Sequence, residues 1–454
     1  MKVKDILKVT NGKLLAGNEN IECENFSKDT RTINEGDIYI GIKGEKFDGS
    51  KLWDEALEKG AKAVIIENIE IEKDKLQKYA DKAIIKVENT LEALYKLAEY
   101  KRSLYDIPVI AITGSVGKTS TKDIIANVVS TKYKTLKTEG NNNNNIGLPM
   151  TILKLKDHEA LVVEMGMNHF GEISLLTKIA KPTIAVITNI GTSHIGNLGS
   201  RENILKAKLE ILEGMDKPIL VINNDNDLLH EWYENNKEKI EIHTIGIENQ
   251  SEINAKKIKL KEESSEFIAL TKQEEVKVNV PVGGTHFVYN SLCAIGIGKL
   301  LDISTENITK GISTFELTKK RMDIKKLDNG AIIINDSYNA SYESMKASIE
   351  FLAKHTGKRK IAVLGDMFEL GKYTKELHEK VGKEIVKNKI DVLICSGENS
   401  KYIIESVKNS STKTIYFENK KQIIEKLQKE LKNGDVVLVK ASNAMKFYEI
   451  CQKL

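Results

Sequence analysis

Cysteine is scarce in this chain of 454 residues: the four that occur, at positions 23, 293, 395 and 451, lie far apart. Their spacing matches no metal-ligand motif, so we expect reduced thiols in a cytosolic protein. Long apolar runs are missing as well. No stretch is long enough to cross a bilayer, and the first twenty residues lack the apolar centre of a signal peptide. The sequence therefore predicts a cytoplasmic protein without membrane insertion.

Neither sign of charge is in clear excess. The chain has 69 basic and 65 acidic residues and a formal net charge of +4, with no basic block and no interleaving of basic and aromatic residues. A nucleic-acid-binding surface normally needs a concentrated basic patch. This composition therefore argues against a nucleic-acid partner.

What the chain does contain is an alternation of short apolar runs with amphipathic segments. That alternation predicts an α/β fold with mostly parallel sheets covered by helices, and the length fits about three domains. We predict a small α/β N-terminal domain over 1–105, a central parallel-sheet domain over 106–314 and a Rossmann-like C-terminal domain over 315–454. The first boundary rests on Asp106-Ile107-Pro108, because a residue before proline favours extended backbone. Residues 255–280 are predicted to form a small β insertion.

The segment T-G-S-V-G-K-T at 113–119 indicates that the central domain is a phosphate-loop, ATPase-like domain. It follows an apolar strand pattern and precedes a helix, so its glycines let backbone N–H groups surround a phosphate at the positive end of that helix. Lys118 can reach the outer phosphates, and the Thr119 hydroxyl can bind Mg²⁺. The strict spacing would place glycine at position 112, where this chain has Ile112. The alternative is an ordinary turn with a surface lysine. The loop residues expected to bind nucleotide are Gly114, Ser115, Gly117, Lys118, Thr119 and Ser120.

Polar residues end two further strands predicted for the central domain. Glu164 closes the run LVVE, and His194 follows the run AVITN. Strands that neighbour the phosphate loop would bring both side chains to the Mg²⁺ region, because ligands of parallel sheets bind at the carboxyl ends of strands. The alternatives are a strand-end carboxylate turned to solvent and an ordinary loop histidine.

Lys208 interrupts an apolar stripe that Ile204, Ile211 and Leu212 form at helical spacing. Such a lysine usually buries its stem and extends its ammonium group to solvent. The other interpretation is a partly buried amine with a lowered pKa, which can add CO₂ and become a carbamate ligand for a second Mg²⁺. Composition alone favours the first.

Residues after position 280 indicate a crevice between the central and C-terminal domains. Asn290 can either hydrogen-bond an adenine edge or serve as a helix-entry residue. An acidic residue at a strand end commonly binds ribose, and Asp336 occupies such a position. The other residues of this predicted crevice, grouped by their place near strand ends, are Arg321, Tyr338, Asn339, Asp366, Glu369, Lys440 and Ser442.

Taken together, these blocks resemble the Mur ligases, the ATP-dependent amide ligases that build the peptidoglycan stem peptide in bacteria. The matching blocks extend from position 29 to about 440 and are very specific in combination. Besides the phosphate loop, they are DTR (29–31), GDIYIGIKGEKFDG (36–49), TEGNNNNNIGLP (138–149), EMGMNHFGEI, TNIGTSHIGNLGS, AKLEI, NDSYNASYESM, LGDMFELG and GDVVLVKAS.

The resemblance implies ATP and two Mg²⁺ ions as cofactors. It makes Thr119, Glu164 and His194 metal ligands, makes Lys208 a carbamylated ligand, and assigns Lys118 with these groups to catalysis. It places Asn290, Arg321 and Asp336 at the nucleotide. The residues that it places at the substrates are Asp29, Thr30, Arg31, Lys43, Gly44, Asp48 and Gly49 for the uridine nucleotide, and Asn141, Asn143, Asn144, Tyr338, Asn339 and Asp366 elsewhere.

The expected reaction joins D-alanyl-D-alanine to UDP-N-acetylmuramoyl-tripeptide through an acyl phosphate, in a monomer whose third domain closes over the nucleotide. The DSYNA and LGDMFELG blocks favour this dipeptide acceptor. The alternatives are a sister ligase that adds one amino acid, a folylpolyglutamate-type ligase and a non-catalytic nucleotide-binding subunit. The chain departs from the family pattern at Glu139, at Asn335, at Ser341-Tyr342 and at Ala441 and Asn443. These departures concern acceptor contacts rather than ATP chemistry.

Overall fold

The computed structural model describes residues 1–44, 47–318 and 321–454. Residues 45 and 46, inside the block 36–49, and residues 319 and 320, inside the predicted third domain, lie outside the description. Among the described residues, no helix combines the length and apolar character needed to cross a membrane.

The first unit is a sheet of five strands. Its spatial order is β1-β5-β4-β3-β2, with β1 antiparallel to β5 and the other pairs parallel. Its strands are β1 (Lys13–Ala16), β2 (Phe26–Ser27), β3 (Ile38–Ile40), β4 (Ala63–Ile66) and β5 (Ala83–Lys86). Its helices are α1 (Val3–Thr10), α2 (Trp53–Glu58), α3 (Lys73–Lys78) and α4 (Thr90–Ser103).

Two hydrophobic clusters cover the two faces of this first sheet. Along β4, Val64 and Ile66 pack into the cluster that contains Trp53, whereas Ile65 joins the large core shared with the rest of the chain. Successive side chains of a strand point to opposite faces, so a strand that is apolar throughout requires cover on both sides. The sequence pattern of β4 therefore accounts for the helices on both faces.

The central unit is a sheet of nine strands in the order β14-β13-β12-β11-β10-β9-β6-β8-β7. Its strands are β6 (Val109–Thr113), β7 (Thr135–Lys137), β8 (Ala160–Glu164), β9 (Ile184–Ile187), β10 (Ile219–Asn223), β11 (Glu241–Gly246), β12 (Ile253–Leu260), β13 (Ser265–Leu270) and β14 (Glu275–Val280). Its helices are α5 (Lys118–Val129), α6 (Gly147–Ile152), α7 (Glu172–Ala180), α8 (Ile195–Leu198), α9 (Arg201–Leu209), α10 (Asp227–Asn236), α11 (Thr285–Leu300) and α12 (Thr305–Ser313).

Strand β6 lies between β8 and β9 and is parallel to both. The segments that follow these three strands therefore meet at one edge of the sheet. The β structure predicted over 255–280 is present, but it extends this same sheet. Strand β12 continues it in parallel, and β13 and β14 add two antiparallel strands.

The third unit is a sheet of six strands in the order β15-β16-β20-β17-β18-β19, in which only the β15–β16 pair is antiparallel. Its strands are β15 (Asp323–Lys326), β16 (Ile332–Asn335), β17 (Arg359–Gly365), β18 (Val392–Ser396), β19 (Lys413–Tyr416) and β20 (Asp435–Lys440). Its helices are α13 (Tyr342–Lys354), α14 (Thr374–Lys387), α15 (Lys401–Val407), α16 (Lys420–Glu430) and α17 (Tyr448–Lys453).

The predicted fold class is confirmed, because the chain forms three α/β units whose sheets are mainly parallel. The boundaries at 105/106 and 314/315 stay predictions.

Candidate active site

The phosphate loop joins β6 to α5. Two of its glycines occupy positions whose backbone conformation or surrounding space suits other residues poorly. Gly114 has φ +149°, and a Cβ atom there would lie 1.9 Å from Thr188 Oγ1. Gly117 has φ +83° and precedes the first residue of α5. Positive φ is readily available only to glycine. The loop therefore takes this tight form because glycine occupies both positions.

The loop after β9 holds the phosphate loop in place. Asn189 Oδ1 accepts from Ser115 N at 3.1 Å and from Val116 N at 3.0 Å. Thr188 Oγ1 donates to Val116 O at 2.6 Å. Asn189 is the last residue of the run AVITN, but its bonds to the phosphate loop cannot be predicted from the sequence, because they depend on β9 lying beside β6.

Glu164 connects the phosphate loop to the asparagine-rich loop, which is the loop that contains Asn141–Asn145. Its Oε2 accepts from Thr119 Oγ1 at 2.7 Å, and its Oε1 accepts from Asn143 Nδ2 at 2.7 Å. The side chain is buried rather than turned to solvent. Carboxylate and hydroxyl oxygens are ligands that suit Mg²⁺, which also keeps several waters. Among the described residues no three His, Cys, Asp or Glu side chains converge, so a magnesium ion here would depend on this small oxygen set.

Lys118 folds back over its own loop, where its Nζ donates to Gly114 O at 2.7 Å and to Ser115 O at 3.3 Å. Burial lowers the pKa of Lys118, attraction by Glu164 opposes this, and repulsion by Arg321 adds to it. The ammonium group is thus placed among the groups that are expected to surround phosphate.

Lys208, on α9, is almost wholly buried, with 1 % of its surface exposed. Burial lowers its pKa well below the ordinary value, and repulsion by Lys118 lowers it further. Within the described part of the chain, no hydrogen bond or ion pair to its amine is found. The side chain does not extend to solvent, so the structure favours a buried amine over an exposed one, and the carbamate stays a prediction.

His194 immediately precedes α8 and has a left-handed conformation with φ 64°. Its Nδ1 contacts Glu369 Oε2 of the third unit, and this contact is the main cause of the lowered pKa of Glu369. His194 and Glu164 line the same cavity, as their predicted convergence requires.

Two basic residues of the third unit approach the phosphate loop region. The Arg321 guanidinium lies 4.0 Å from the centre of the Tyr338 ring, and its Nη2 donates to Thr119 Oγ1 at 2.9 Å. Lys440 forms an ion pair with Asp336, whose Oδ2 also accepts from Ser348 Oγ at 2.7 Å. Arg321 thereby connects the third unit directly to the loop that is expected to bind phosphate.

A cavity of about 420 Å³ lies between the central and third units. The predicted residues that line it are Ser115, Gly117, Lys118, Thr119, Ser120, Asn141, Asn143, Asn144, Glu164, His194, Asn290, Arg321, Asp336, Tyr338 and Asn339. Its size suits a nucleotide-sized ligand.

Asn290 lies beside the phosphate loop. Its Oδ1 accepts from Thr121 Oγ1 at 3.0 Å, whereas its buried Nδ2 has no partner among the described residues. A buried amide N–H without a partner is costly, so a ligand atom that accepts from it would be favoured. This arrangement fits an adenine edge better than a helix-entry role.

Asp366 is not brought to this cavity. Its Oδ1 accepts from Ser400 N at 2.7 Å and its Oδ2 from Asn399 Nδ2 at 3.4 Å, so the carboxylate holds the turn before α15. A substrate role for Asp366 stays a prediction.

The predicted uridine-binding residues lie on the first unit, away from the cavity, and Tyr39 connects their two segments. Tyr39 donates to Gly49 O at 2.8 Å. Burial, with the nearby carboxylates of Glu55, Asp29 and Asp48, raises the pKa of Tyr39 to about 12. Asp29 and Asp48, one from each segment, thus both lie near this buried tyrosine. Of the other predicted uridine-binding residues, Arg31 pairs with Asp29 at 2.6 Å, and Thr30 donates to Glu55 at 2.8 Å. Lys43 and Gly44 precede the two residues that the structure does not describe.

The departures from the family pattern have local structural explanations. Ser341 caps α13 by accepting from Ser344 N, and the Tyr342 hydroxyl donates to Glu384 at 3.2 Å. Asn443 Nδ2 donates to Tyr338 O at 2.8 Å, and Glu139 pairs with Lys154 at 3.0 Å. Each of these side chains supports a loop or helix end, so none of them disturbs the phosphate loop. Asn335 Oδ1 accepts from Ser337 N at 3.3 Å and from Ser337 Oγ at 2.5 Å, so this side chain holds the turn after β16. Nothing in the structure explains Ala441 as a departure.

Comparison with known proteins identifies the family. Three family models match: "Mur ligase family, catalytic domain" over residues 24–102, "Mur ligase middle domain" over 112–298 and "Mur ligase, glutamate ligase domain" over 320–443. The UDP-N-acetylmuramoyl-tripeptide–D-alanyl-D-alanine ligase of Bacillus subtilis is 36 % identical over all of this chain and 98 % of its own length.

Solved structures agree with this result. A crystal structure of MurF from Acinetobacter baumannii matches with TM-score 0.89 and 29 % identity, over 100 % of this chain and 98 % of that chain. MurF from Thermotoga maritima in complex with ADP matches with TM-score 0.82 and 30 % identity, over 95 % of this chain and 97 % of that chain. The resemblance found in the sequence motifs is confirmed: the chain belongs to the Mur ligase family and is a ligase.

Proposed function

We propose that this chain is the ATP-dependent ligase that joins D-alanyl-D-alanine to UDP-N-acetylmuramoyl-tripeptide and so forms the pentapeptide precursor of peptidoglycan. The observation that carries this proposal is the contact of Arg321 with Thr119, which unites the phosphate loop and the third domain around one nucleotide-sized cavity. Full-length relatives that bear this enzyme name supply the choice of substrates.

The reaction needs charge neutralisation and alignment more than a covalent nucleophile. The terminal carboxylate of the tripeptide takes the γ-phosphoryl group of ATP and becomes an acyl phosphate, and ADP leaves. The dipeptide amine then attacks the acyl carbon, loses a proton and displaces phosphate. Lys118 and Arg321 stabilise the phosphoryl charge, and the phosphate loop positions ATP.

Thr119, Glu164 and His194 would hold Mg²⁺. The oxygen donors of Thr119 and Glu164 already face each other at 2.7 Å, which fits a hard cation. Bound Mg²⁺ neutralises charge on phosphate oxygens. In this arrangement His194 would exchange its contact with Glu369 for the metal.

Lys208 would carry a carbamate. Its neutral amine attacks CO₂, an N–C bond forms and a proton is released, which leaves an anionic ligand for a second Mg²⁺. Burial without a carboxylate partner supports this role, because the modification replaces an unfavourable buried cation with a group that can bind metal.

The donor and acceptor would lie on either side of the nucleotide. The first-unit residues around Tyr39 hold the uridine nucleotide, the loop with Asn141, Asn143 and Asn144 holds the stem peptide, and Tyr338 and Asn339 contact the acceptor. One chain supplies both walls of the cavity, which supports action as a monomer. ATP and the nucleotide-linked precursor place the reaction in the bacterial cytoplasm.

Phosphate release tests this function. ATP and Mg²⁺ are supplied with UDP-N-acetylmuramoyl-tripeptide and D-alanyl-D-alanine, beside reactions with single amino acids and shorter muropeptides. We expect release that requires the dipeptide, with the pentapeptide mass appearing. Release only with a single amino acid would identify a sister ligase, and silence with every muropeptide would indicate a non-catalytic nucleotide-binding subunit.

A further inference from the structure

The N-terminal end of α13 docks onto the central domain through a carboxylate. Glu343, in the first turn of this helix, accepts from Thr192 N at 2.7 Å and from Thr192 Oγ1 at 3.0 Å. Both carboxylate oxygens are therefore occupied by one residue across the domain boundary. Hydrogen bonds to an ionised acceptor are roughly twice as strong as neutral ones, so this contact is one of the stronger links between the domains.

The central domain is shaped to admit this carboxylate. A Cβ atom on Gly191 would lie 2.6 Å from Glu343 Cδ and 2.7 Å from its Oε1, so a larger residue there would displace the carboxylate from its present position. Arg201 of α9 adds a nearby positive charge. Its pKa is raised mainly by the hydrogen bond to Asp227 and in addition by Glu343. The shape and the charge of the docking point both match a carboxylate.

The docking point is bonded to the phosphate loop. Gly191 N donates to Ser115 Oγ at 2.8 Å, and Ser193 Oγ donates to Ser115 O at 3.2 Å. Thr192 lies between these two residues. A displacement of Glu343 would therefore shift the hydrogen-bonded segment 191–193 and, through it, Ser115.

The other end of the helix docks as well. Thr356, two residues beyond α13, donates its backbone N–H to Glu262 Oε1 at 2.6 Å. The loop before α13 carries Tyr338, on which Arg321 is stacked. A displacement of this helix on the central domain would therefore also displace Tyr338, the ring against which Arg321 packs.

We propose that Glu343 is a positioning residue, which sets the third domain against the phosphate loop so that Arg321 meets Thr119 when ATP lies between the domains. The proposal rests on the proposed ligase function. Glu343 contacts the central domain and no reacting atom, so its loss lowers the fraction of enzyme in the competent arrangement. The apparent affinity for ATP falls in proportion to that fraction.

The test compares Glu343→Ala, Glu343→Gln and Thr192→Val with a matched control, Glu376→Gln. Glu376 also lies in the first turn of a third-domain helix, but it pairs with Lys380 of its own helix at 2.8 Å. We expect Glu343→Ala to raise the KM for ATP about tenfold and to lower kcat less. Glu343→Gln and Thr192→Val, which each keep part of the contact, should raise the KM about threefold. The control should match the wild type.

Two further measurements separate positioning from a general structural role. Small-angle scattering with a non-hydrolysable ATP analogue and both substrates should show a larger radius of gyration for Glu343→Ala than for the wild type. Binding of UDP-N-acetylmuramoyl-tripeptide without ATP should be unchanged. Glu343→Ala with the KM and scattering of the control would overturn the proposal. The proposal would also be overturned if the KM increase of a Glu343→Ala/Thr192→Val double variant equalled the product of the two single increases, because the two residues would then act independently.

Failure of the proposed function would be recognised separately. Affinity for a fluorescent ATP analogue needs no turnover, so it reports on Glu343 even if the wild type makes no pentapeptide. Thermal unfolding checks that each variant folds. If Glu343→Ala does not fold, Thr192→Val carries the test, and wild-type affinity in that variant would overturn the proposal.

Discussion

Thr119 Oγ1 donates to Glu164 Oε2 over 2.7 Å, across the gap between the first residues of α5 and the end of β8. We predict that Thr119→Val lowers kcat about 100-fold or more, because it removes a hydroxyl from the group of charges and dipoles around the transferred phosphoryl group. Thr119→Ser, which keeps the hydroxyl, should retain most activity. Steady-state kinetics with ATP varied measures both. Equal losses in the two variants would contradict a role for the hydroxyl.

Lys208→Ala should lose nearly all activity and regain part of it when a short carboxylate such as acetate is added. The added anion can occupy the space of the lost carbamate. Because burial lowers the pKa of Lys208, a larger share of its amine is in the reactive neutral form than for an exposed lysine, and acidification should remove both carbamate and activity.

The control for Lys208 is Lys206→Ala, an exposed lysine on the same helix, which should behave as the wild type. Labelling the wild type with ¹³C-bicarbonate should give one carbamate resonance by NMR that Lys208→Ala lacks. Full activity of Lys208→Ala, or identical spectra, would exclude the modification.

Gly114→Ala should abolish tight ATP binding. The new methyl group would lie 1.9 Å from Thr188 Oγ1, and φ +149° is unfavourable for alanine, so the loop must move. Strain of this kind costs about 1–3 kcal/mol. Calorimetric titration with ATP measures the loss of affinity, and thermal unfolding measures the loss of stability.

Gly296→Ala, in α11, is the matched control for Gly114→Ala. Its added Cβ would meet side chains at 3.5 Å and 3.7 Å, which is ordinary contact, and alanine favours helix. We expect unchanged affinity and equal or higher stability. If both alanine variants bound ATP as the wild type does, the steric requirement at Gly114 would be disproved.

Acid should destabilise the protein partly through His286. Burial is the main cause that lowers its pKa to about 4; attraction by Asp336 opposes this, and repulsion by Lys440 adds to it. Between its unfolded value near 6.5 and about 4, the unfolded state binds the extra proton, so stability is full above pH 6.5 and falls as the pH decreases. The contribution is up to about 3 kcal/mol.

Urea unfolding at pH 7 and pH 4.5 measures the contribution of His286. The His286→Gln variant should lose less stability between these pH values than the wild type, since glutamine takes up no proton. His378, whose pKa is also lowered by burial, serves as a second site for comparison through His378→Gln. An identical pH dependence of the wild type and His286→Gln would contradict the prediction.

Local patterns were sufficient for several parts of this protein. The glycine spacing and Lys118-Thr119 predicted the phosphate loop, because a helix N-terminus and small residues are sequence-local requirements. The apolar runs LVVE and AVITN predicted β8 and β9 within one or two residues. The combination of motifs identified the family, and Glu164 lies near Thr119 because it ends β8, the parallel neighbour of β6, which leads into the phosphate loop.

Other features needed the tertiary structure, since they depend on which segments meet. The sequence alone favoured an exposed amine for Lys208, and only packing around α9 shows that it is buried. The bonds of Asn189 require β9 to lie beside β6. The contacts of Asp366 with Ser400, and of Glu343 with Thr192, join residues far apart in the chain.

The sequence by itself thus determined the fold class, the family and the phosphate-loop chemistry, because these are written in short segments with fixed spacing. The arrangement of the third domain on the central one was decided only in three dimensions. That arrangement depends on side chains such as Arg321 and Glu343, whose partners lie more than a hundred residues away and leave no local pattern.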